Sequence, residues 1–156
     1  AVRLARKGFQ VTGIDVSSEA LNLARSRAKK ERANITWREG FAEKLPFSDK
    51  SFDYITCCHT FEHVKDVARA VKQFKRVARK KIVILVPKQK FRLYMENYHV
   101  NFFENGDQLA QAIGLKQFQV REVNAIGRDN DFQGKALLYV GTPDSPDKKP
   151  KRPRRR

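Results

Sequence analysis

The spacing of apolar positions changes several times along the chain, and each change marks a predicted element. Phe9 to Ile14 is a short apolar run that reads as a buried strand, and it ends on a carboxylate, Asp15. Ser17 and Ser18 can cap a helix over Glu19 to Arg32, with Glu19 in its first turn and Ala20, Leu21, Ala24 and Ala28 along one face. Ile35 to Glu39 reads as a short strand, Gly40 to Lys50 as a loop with turn residues at Pro46, Ser48 and Asp49, and Phe52 to Cys58 as a further strand. Val64 to Arg79 carries the clearest helical period: Val64, Val67, Ala68, Val71, Phe74 and Ala78. Its basic residues fall mostly on the other faces. Ile82 to Val86 is a continuous apolar run closed by Pro87, as in a strand covered on both faces of a parallel sheet.

A long aromatic connection follows from Lys88 to Asn105, with Phe91, Tyr94, Tyr98, His99, Phe102 and Phe103. Asp107 is then expected to cap a helix that runs to Ile113 and stops at Gly114. Phe118 to Ile126 and Lys135 to Thr142, joined by the polar GRDNDFQG, predict an antiparallel pair. Ahead of everything, Ala1 to Lys7 reads as the end of a helix stopped by Gly8. Alternating strands and helices imply an α/β fold: a doubly wound, mostly parallel sheet with an antiparallel terminal strand.

Composition narrows this picture. The 156 residues allow one domain at most, with enough chain for a real core. No apolar run approaches the roughly 20 residues of a membrane span, so no membrane partner is expected. Cys57 and Cys58 are adjacent, a spacing that disulfide geometry resists, which points to a reduced, cytoplasmic protein. The net charge is +16, and Lys148 to Arg156 (KKPKRPRRR) holds seven of the cations, leaving about +9 on the rest. The segment 143–156 is expected to be a disordered basic tail after a domain over 1–142. RNA, reached through the basic helix and the tail, is one partner reading, and solvated faces are the plainer one.

Candidate chemistry gathers at the strand ends, where open α/β sheets bind ligands. Asp15 there could accept hydrogen bonds from both hydroxyls of a ribose, or it could serve only as a turn residue. His59, Glu62 and His63 form an H-x-x-E-H cluster. Three ligands on one turn could hold a metal, but a fourth is not evident, since His99 is the remaining histidine. No metal site is therefore expected, and Glu62 and His63 are read as the start of the helix, lining an acceptor pocket. His59 is the candidate general base, because histidines ordinarily titrate near neutrality.

Three blocks, VTGIDVSSEALNLAR, GFAEKLPFSDKSFDYITCCHTFEHV and KKIVILVP, resemble the class I S-adenosylmethionine-dependent methyltransferases. The nearest group is the small-molecule type with a GDAExLPF…SFD stretch before the fourth strand. The resemblance covers roughly Ala1 to Pro87, with a looser fit through Thr142. It implies a Rossmann-like methyltransferase fold, S-adenosylmethionine as methyl donor and a small-molecule acceptor. By the same resemblance, Asp15 holds the ribose hydroxyls, Val16 packs on adenine, and Ala42 offers its amide to an adenine nitrogen. Cys57 would lie near the methionine part; plain strand packing is the alternative for both cysteines, and more so for Cys58 than for Cys57. Phe41 stands where the family usually has an aspartate that accepts from the adenine amino group, so it can only stack. The family's first strand and glycine-rich loop would precede Ala1. The chain thus reads as a partial domain, expected to bind S-adenosylmethionine poorly or not at all. Two other readings stay open: a nicotinamide-dependent dehydrogenase, which also uses an acid after its second strand, and a basic nucleic-acid-binding module or RNA methyltransferase. The LPFSDKSFD stretch and the terminal strand pair favour the methyltransferase over the dehydrogenase.

Overall fold

A computed structural model describes residues 1–91, 98–126 and 133–143. Tyr94, most of the polar GRDNDFQG turn and the tail from 144 onward lie outside the described residues. The chain divides into two compact units, Ala1–Pro46 and Phe47–Arg156.

The first unit opens with one helical turn, α1 (Val2–Ala5), followed by Gly8 at a φ of 88°. Strand β1 (Val11–Asp15), helix α2 (Ser18–Lys30) and strand β2 (Ile35–Glu39) then form a β-α-β unit whose strands pair in parallel, Val11 with Ile35 through Asp15 with Glu39. Ser17 caps α2 by accepting from the Ala20 N–H at 3.1 Å, and Leu21 and Ala28, two turns apart, are the side chains it buries. Gly13 and Trp37 face each other across the ladder, and a Cβ on Gly13 would come within 2.3 Å of the indole. Only a residue without a side chain leaves room for that ring.

The second unit is a four-stranded sheet in the order β3 (Phe52–Cys58), β4 (Ala78–Pro87), β6 (Gln133–Thr142), β5 (Gln117–Ile126). The β3–β4 pair is parallel, and β4–β6 and β5–β6 are antiparallel. Ile82, Ile84 and Val86 on one face of β4 are fully buried, while Val83 and Leu85 on the other are half-buried, so the run is less completely covered on its second face than the sequence implied. The strands thus form two hydrogen-bonded sheets instead of the single one expected. The parallel pairs involve β1 to β4 and the antiparallel pairs involve the last two strands.

Helix α3 (Val67–Val77) begins three residues later than its apolar period suggests. Phe61–His63 forms a separate 3-10 turn, Val64 is extended (φ −71°, ψ 124°), and Asp66 caps α3 through the Arg69 N–H at 2.9 Å. Glu62 and His63 therefore do not start the helix. Ala70, Val71, Phe74 and Val77 form its buried stripe. Helix α4 (Gly106–Ile113) is capped by Asn105, which accepts from the Gln108 N–H at 3.0 Å, so Asp107 is a first-turn acid and not the cap. Gly114 ends α4 in the left-handed region, φ 59°. The rings of Phe61 and Phe103 stack at 5.9 Å in the core.

Candidate functional site

In the first unit, Asp15 ends β1 and Gly40 follows β2, and the Gly40 N–H donates to the Asp15 carbonyl at 2.9 Å. The Asp15 side chain is exposed. Its Oδ1 accepts the Ser17 N–H at 3.0 Å, and its Oδ2 has no partner among the described residues. Asp15 is thus a turn residue and an available acceptor at once. Both sequence readings describe it. Val16 and Phe41 are 55% and 62% exposed. Phe41 closes a tight turn: it bridges to Lys44, whose N–H donates to the Phe41 carbonyl at 3.1 Å, and Ala42 lies at the tip.

In the second unit, the chain leaves β3 through Cys57, Cys58 and His59. Cys57 points into the core and Cys58 outward, as successive strand residues must. Strand packing therefore describes Cys57 and not Cys58. Burial pushes the Cys57 thiol up to about 12, with Cys58 and Glu62 adding to the rise, so it is neutral and unreactive at physiological pH. His59 has a φ of 49°, a strained value for a residue with a Cβ, and its N–H is held by the Leu85 carbonyl at 2.9 Å. That conformation turns its ring back so that Nδ1 lies 3.5 Å from Glu62 Oε1.

Glu62 is the sole buried charged residue among those described, 1% exposed. Its carbonyl accepts the N–H groups of Val100 and Asn101 at 2.9 and 3.0 Å. The Asn101 side-chain amide donates to the carbonyls of Phe61 and Val64. These bonds bring the connection after β4 onto the 3-10 turn. His63 Nδ1 meets the Tyr98 carbonyl at 3.2 Å, and the His63 and His99 rings cross edge to face at 4.8 Å. One donor atom each from Glu62, His63 and His99 falls within 4.8 Å of the others. Burial holds His99 below the usual imidazole range, His63 and His59 push it the same way, and Glu62 opposes. His99 is the functional candidate that sequence reasoning missed. It lies far along the chain, and only the hydrogen bonds of its neighbours bring it here. A cleft of about 420 Å³ opens on the same connection, with Val67, Phe91, Val100 and Phe102 among its walls.

The basic helix is less available than its sequence implies. Arg76 donates to the Phe47 carbonyl at 2.6 Å and to Asp49 at 2.8 Å, Lys75 to the Gly114 carbonyl at 2.8 Å, and Arg79 pairs with Asp53 at 3.1 Å. These cations fasten the protein's own loops. Among the described residues, no helix is long and apolar enough to cross a membrane.

Residues 1–86, more than half of the chain, match the family model described as "Methyltransferase domain". The chain is 43% identical over 70 residues to a demethylmenaquinone methyltransferase of Chlorobaculum parvum, a match covering 45% of this chain and 27% of that one. It is 44% identical over 69 residues to a ubiquinone biosynthesis O-methyltransferase of Alkalilimnicola ehrlichii, covering 44% and 28%. The chain thus spans between a quarter and a third of the length of the curated relatives it matches. Among solved structures, it resembles a SAM-dependent methyltransferase of Methanosarcina mazei with a TM-score of 0.70 at 20% identity, over 90% of this chain and 85% of that one. The α/β architecture is the Rossmann-like one of that enzyme. With its β1 acid, its LPFSDKSFD stretch and its closing antiparallel strands, this chain belongs to the methyltransferase-domain family, within the class I S-adenosylmethionine-dependent methyltransferases.

Proposed function

We propose that this protein transfers a methyl group from S-adenosylmethionine to a small-molecule acceptor. The observation that carries this reading is Asp15 at the end of β1, with Oδ1 fixed by the Ser17 N–H and Oδ2 unpartnered among the described residues. A carboxylate placed that way can accept from two neighbouring ribose hydroxyls, because each oxygen has lone pairs to spare. The exposed Val16 and Phe41 side chains suit the two faces of an adenine ring, and Ala42 at the turn tip can offer its N–H. Phe41 cannot accept from the adenine amino group, so recognition of that edge falls to the backbone or to water.

When bound, the donor supplies an already activated methyl group on a sulfonium. The protein then has to align and dehydrate more than activate. His59 serves as the base for the acceptor's hydroxyl proton, with its Nδ1 oriented toward Glu62 Oε1 at 3.5 Å. Cys57 does no nucleophilic work, because burial pushes its thiol up to about 12. An aromatic acceptor suits the cleft walled by Phe91 and Phe102. The names of the relatives point the same way, one being a demethylmenaquinone methyltransferase and the other an O-methyltransferase of ubiquinone biosynthesis.

The test is transfer of a labelled methyl group to hydroxylated aromatic acceptors, followed by mass spectrometry. Methylated acceptor and S-adenosylhomocysteine should form in equal amounts. His59→Gln should lower kcat by roughly a hundredfold or more with little change in KM for the donor. A variant with unchanged kcat removes His59 from the mechanism, and transfer to RNA in preference to every small acceptor overturns the substrate class.

A further inference from the structure

We propose that the mouth of the cleft beside helix α3 docks on an anionic lipid surface, with Phe91, Tyr98 and Val100 entering the lipid and Lys65, Arg69 and Lys90 meeting its phosphates. Two observations converge on it. The first is apolar. Phe91, Tyr98 and Val100 are 65%, 84% and 56% exposed, three large side chains on one connection. Phe91 and Val100 also wall the cleft of about 420 Å³, together with Val67 and Phe102. Tyr98 lies two residues ahead of Val100, and its φ of 55° is a left-handed value that a residue with a Cβ rarely adopts. Its carbonyl meets His63 Nδ1 at 3.2 Å, while its side chain is left to solvent. Single apolar residues scattered over a surface are ordinary, but three gathered at the mouth of one cleft mark an interaction site.

The second observation is charge. Lys90 directly precedes Phe91, and Lys65 and Arg69 stand on either side of Val67, which walls the cleft from the start of α3. The Asn101 side chain donates to the Val64 carbonyl at 2.7 Å, which holds the stretch beside Lys65 against the connection. All three cations are exposed, and their side chains have no ion-pair or hydrogen-bond partner among the described residues. Lys75, Arg76 and Arg79, farther along, instead fasten the protein's own loops. The acids nearby are Asp66, which caps α3 through the Arg69 N–H, and Glu104 in the cleft wall. A second copy of the chain would bring these cations face to face on two bodies of net charge +16, so repulsion opposes it. A single strand of RNA fits poorly as well: Val100 offers no ring for a base to stack on, and the cleft behind it is lined by one carboxylate and no cation. A lipid surface suits both halves, because cations stay among the headgroup phosphates while apolar side chains pass just beneath them. Such docking needs no spanning segment, so the sequence expectation of no membrane partner, which rested on the length of apolar runs, concerns spanning alone.

The docking does not depend on the methyl-transfer reading; only its consequence does, that an apolar acceptor enters the cleft from the lipid side. The 156-residue chain is floated with vesicles of phosphatidylcholine and with vesicles containing about 30% phosphatidylglycerol, over a range of salt. It should bind the anionic vesicles, and salt should weaken the binding. Because the basic tail also meets anionic lipid, variants carry the decision, with folding checked by circular dichroism. Phe91→Ser with Tyr98→Ser should weaken binding at least tenfold at unchanged charge, and Lys65→Glu with Arg69→Glu should do the same. Lys29→Glu with Lys30→Glu, an equal change of charge on α2, should weaken it far less. Absence of binding to anionic vesicles overturns the proposal, as does parent affinity in the Phe91 and Tyr98 variant, which would leave the binding to the tail. Equal losses in the two charge variants show attraction by bulk charge and contradict a site. RNA binding that the Phe91 and Tyr98 variant loses, while vesicle binding persists, replaces lipid as the occupant, and so does a dimer of the chain that the same variant dissociates.

Discussion

The side-chain amide of Asn101 donates to the Val64 carbonyl at 2.7 Å and to the Phe61 carbonyl at 3.2 Å. One residue thereby satisfies both ends of the turn that follows β3 and holds the segment carrying His99 against Glu62. Removing it strands the partly buried Val64 carbonyl and leaves the Phe61 carbonyl with the Val64 N–H at 3.3 Å, which costs about 1–3 kcal/mol. Asn101→Ala should lower the urea midpoint accordingly. A variant as stable as the parent shows that water replaces the amide without loss.

Gly13 faces the ring of Trp37, the single tryptophan of the chain, so fluorescence reads this contact alone. A Cβ at 2.3 Å from the indole forces the ring or the strand to move, and overpacking of this kind costs about 1–3 kcal/mol. Gly13→Ala should destabilise the β1–β2 ladder and shift the Trp37 emission toward that of exposed indole. An unchanged spectrum and midpoint show that the ring has another place to go.

Glu122 lies between Lys88 and Lys135, whose hydrogen bonds hold its carboxyl down to about 2, against an ordinary 4.5. A depressed folded value means stability that is present above about 4.5 and lost as pH falls toward about 2. The difference in urea midpoint between the parent chain and Glu122→Gln should therefore be constant above pH 5 and shrink steadily below 4.5. A difference that does not change with acid shows that the carboxylate titrates alike in both states.

The two adjacent thiols should react very differently. At a value of about 12, Cys57 holds roughly one part in ten thousand as thiolate at pH 8, and it is also shielded. Iodoacetamide should label Cys58 first in the folded chain, and both only after unfolding, as read by peptide mass spectrometry. Labelling of Cys57 at the rate of Cys58 contradicts the burial of that strand face.

Much of the fold was readable in order. The bounds of β2 and β3 are those the sequence implied, because alternation and flanking turn residues mark short strands sharply. Val64 misled the reading of α3. It keeps the apolar period because it is buried, while its backbone is extended and Asp66 supplies the cap. Asn105 displaced Asp107 at α4 for a similar reason: two adjacent candidates look alike in sequence, and only backbone geometry selects one. The LPFSDKSFD stretch identified the family, yet what its second half does here is mechanical. Lys50 and Arg76 tie it to the last turn of α3, with Lys50 Nζ donating to the Lys75 and Ala78 carbonyls at 3.2 and 3.0 Å. Asp15 was legible as a strand-end acid. His99 was not, since its partners are set by long-range backbone bonds that no local period encodes.

The central claim is that Asp15 grips a ribose, and Asp15→Asn tests it most directly. That change keeps the acceptor for the Ser17 N–H and turns Oδ2 into a donor. In a titration with S-adenosylhomocysteine to high concentration, as the low affinity expected of this chain requires, followed by amide NMR shifts, the parent chain should respond at Ser17, Gly40 and Ala42. The variant should bind at least tenfold more weakly, the equivalent of one hydrogen bond to a charged group. Shifts confined to other residues, or equal affinity in the two chains, would contradict the account.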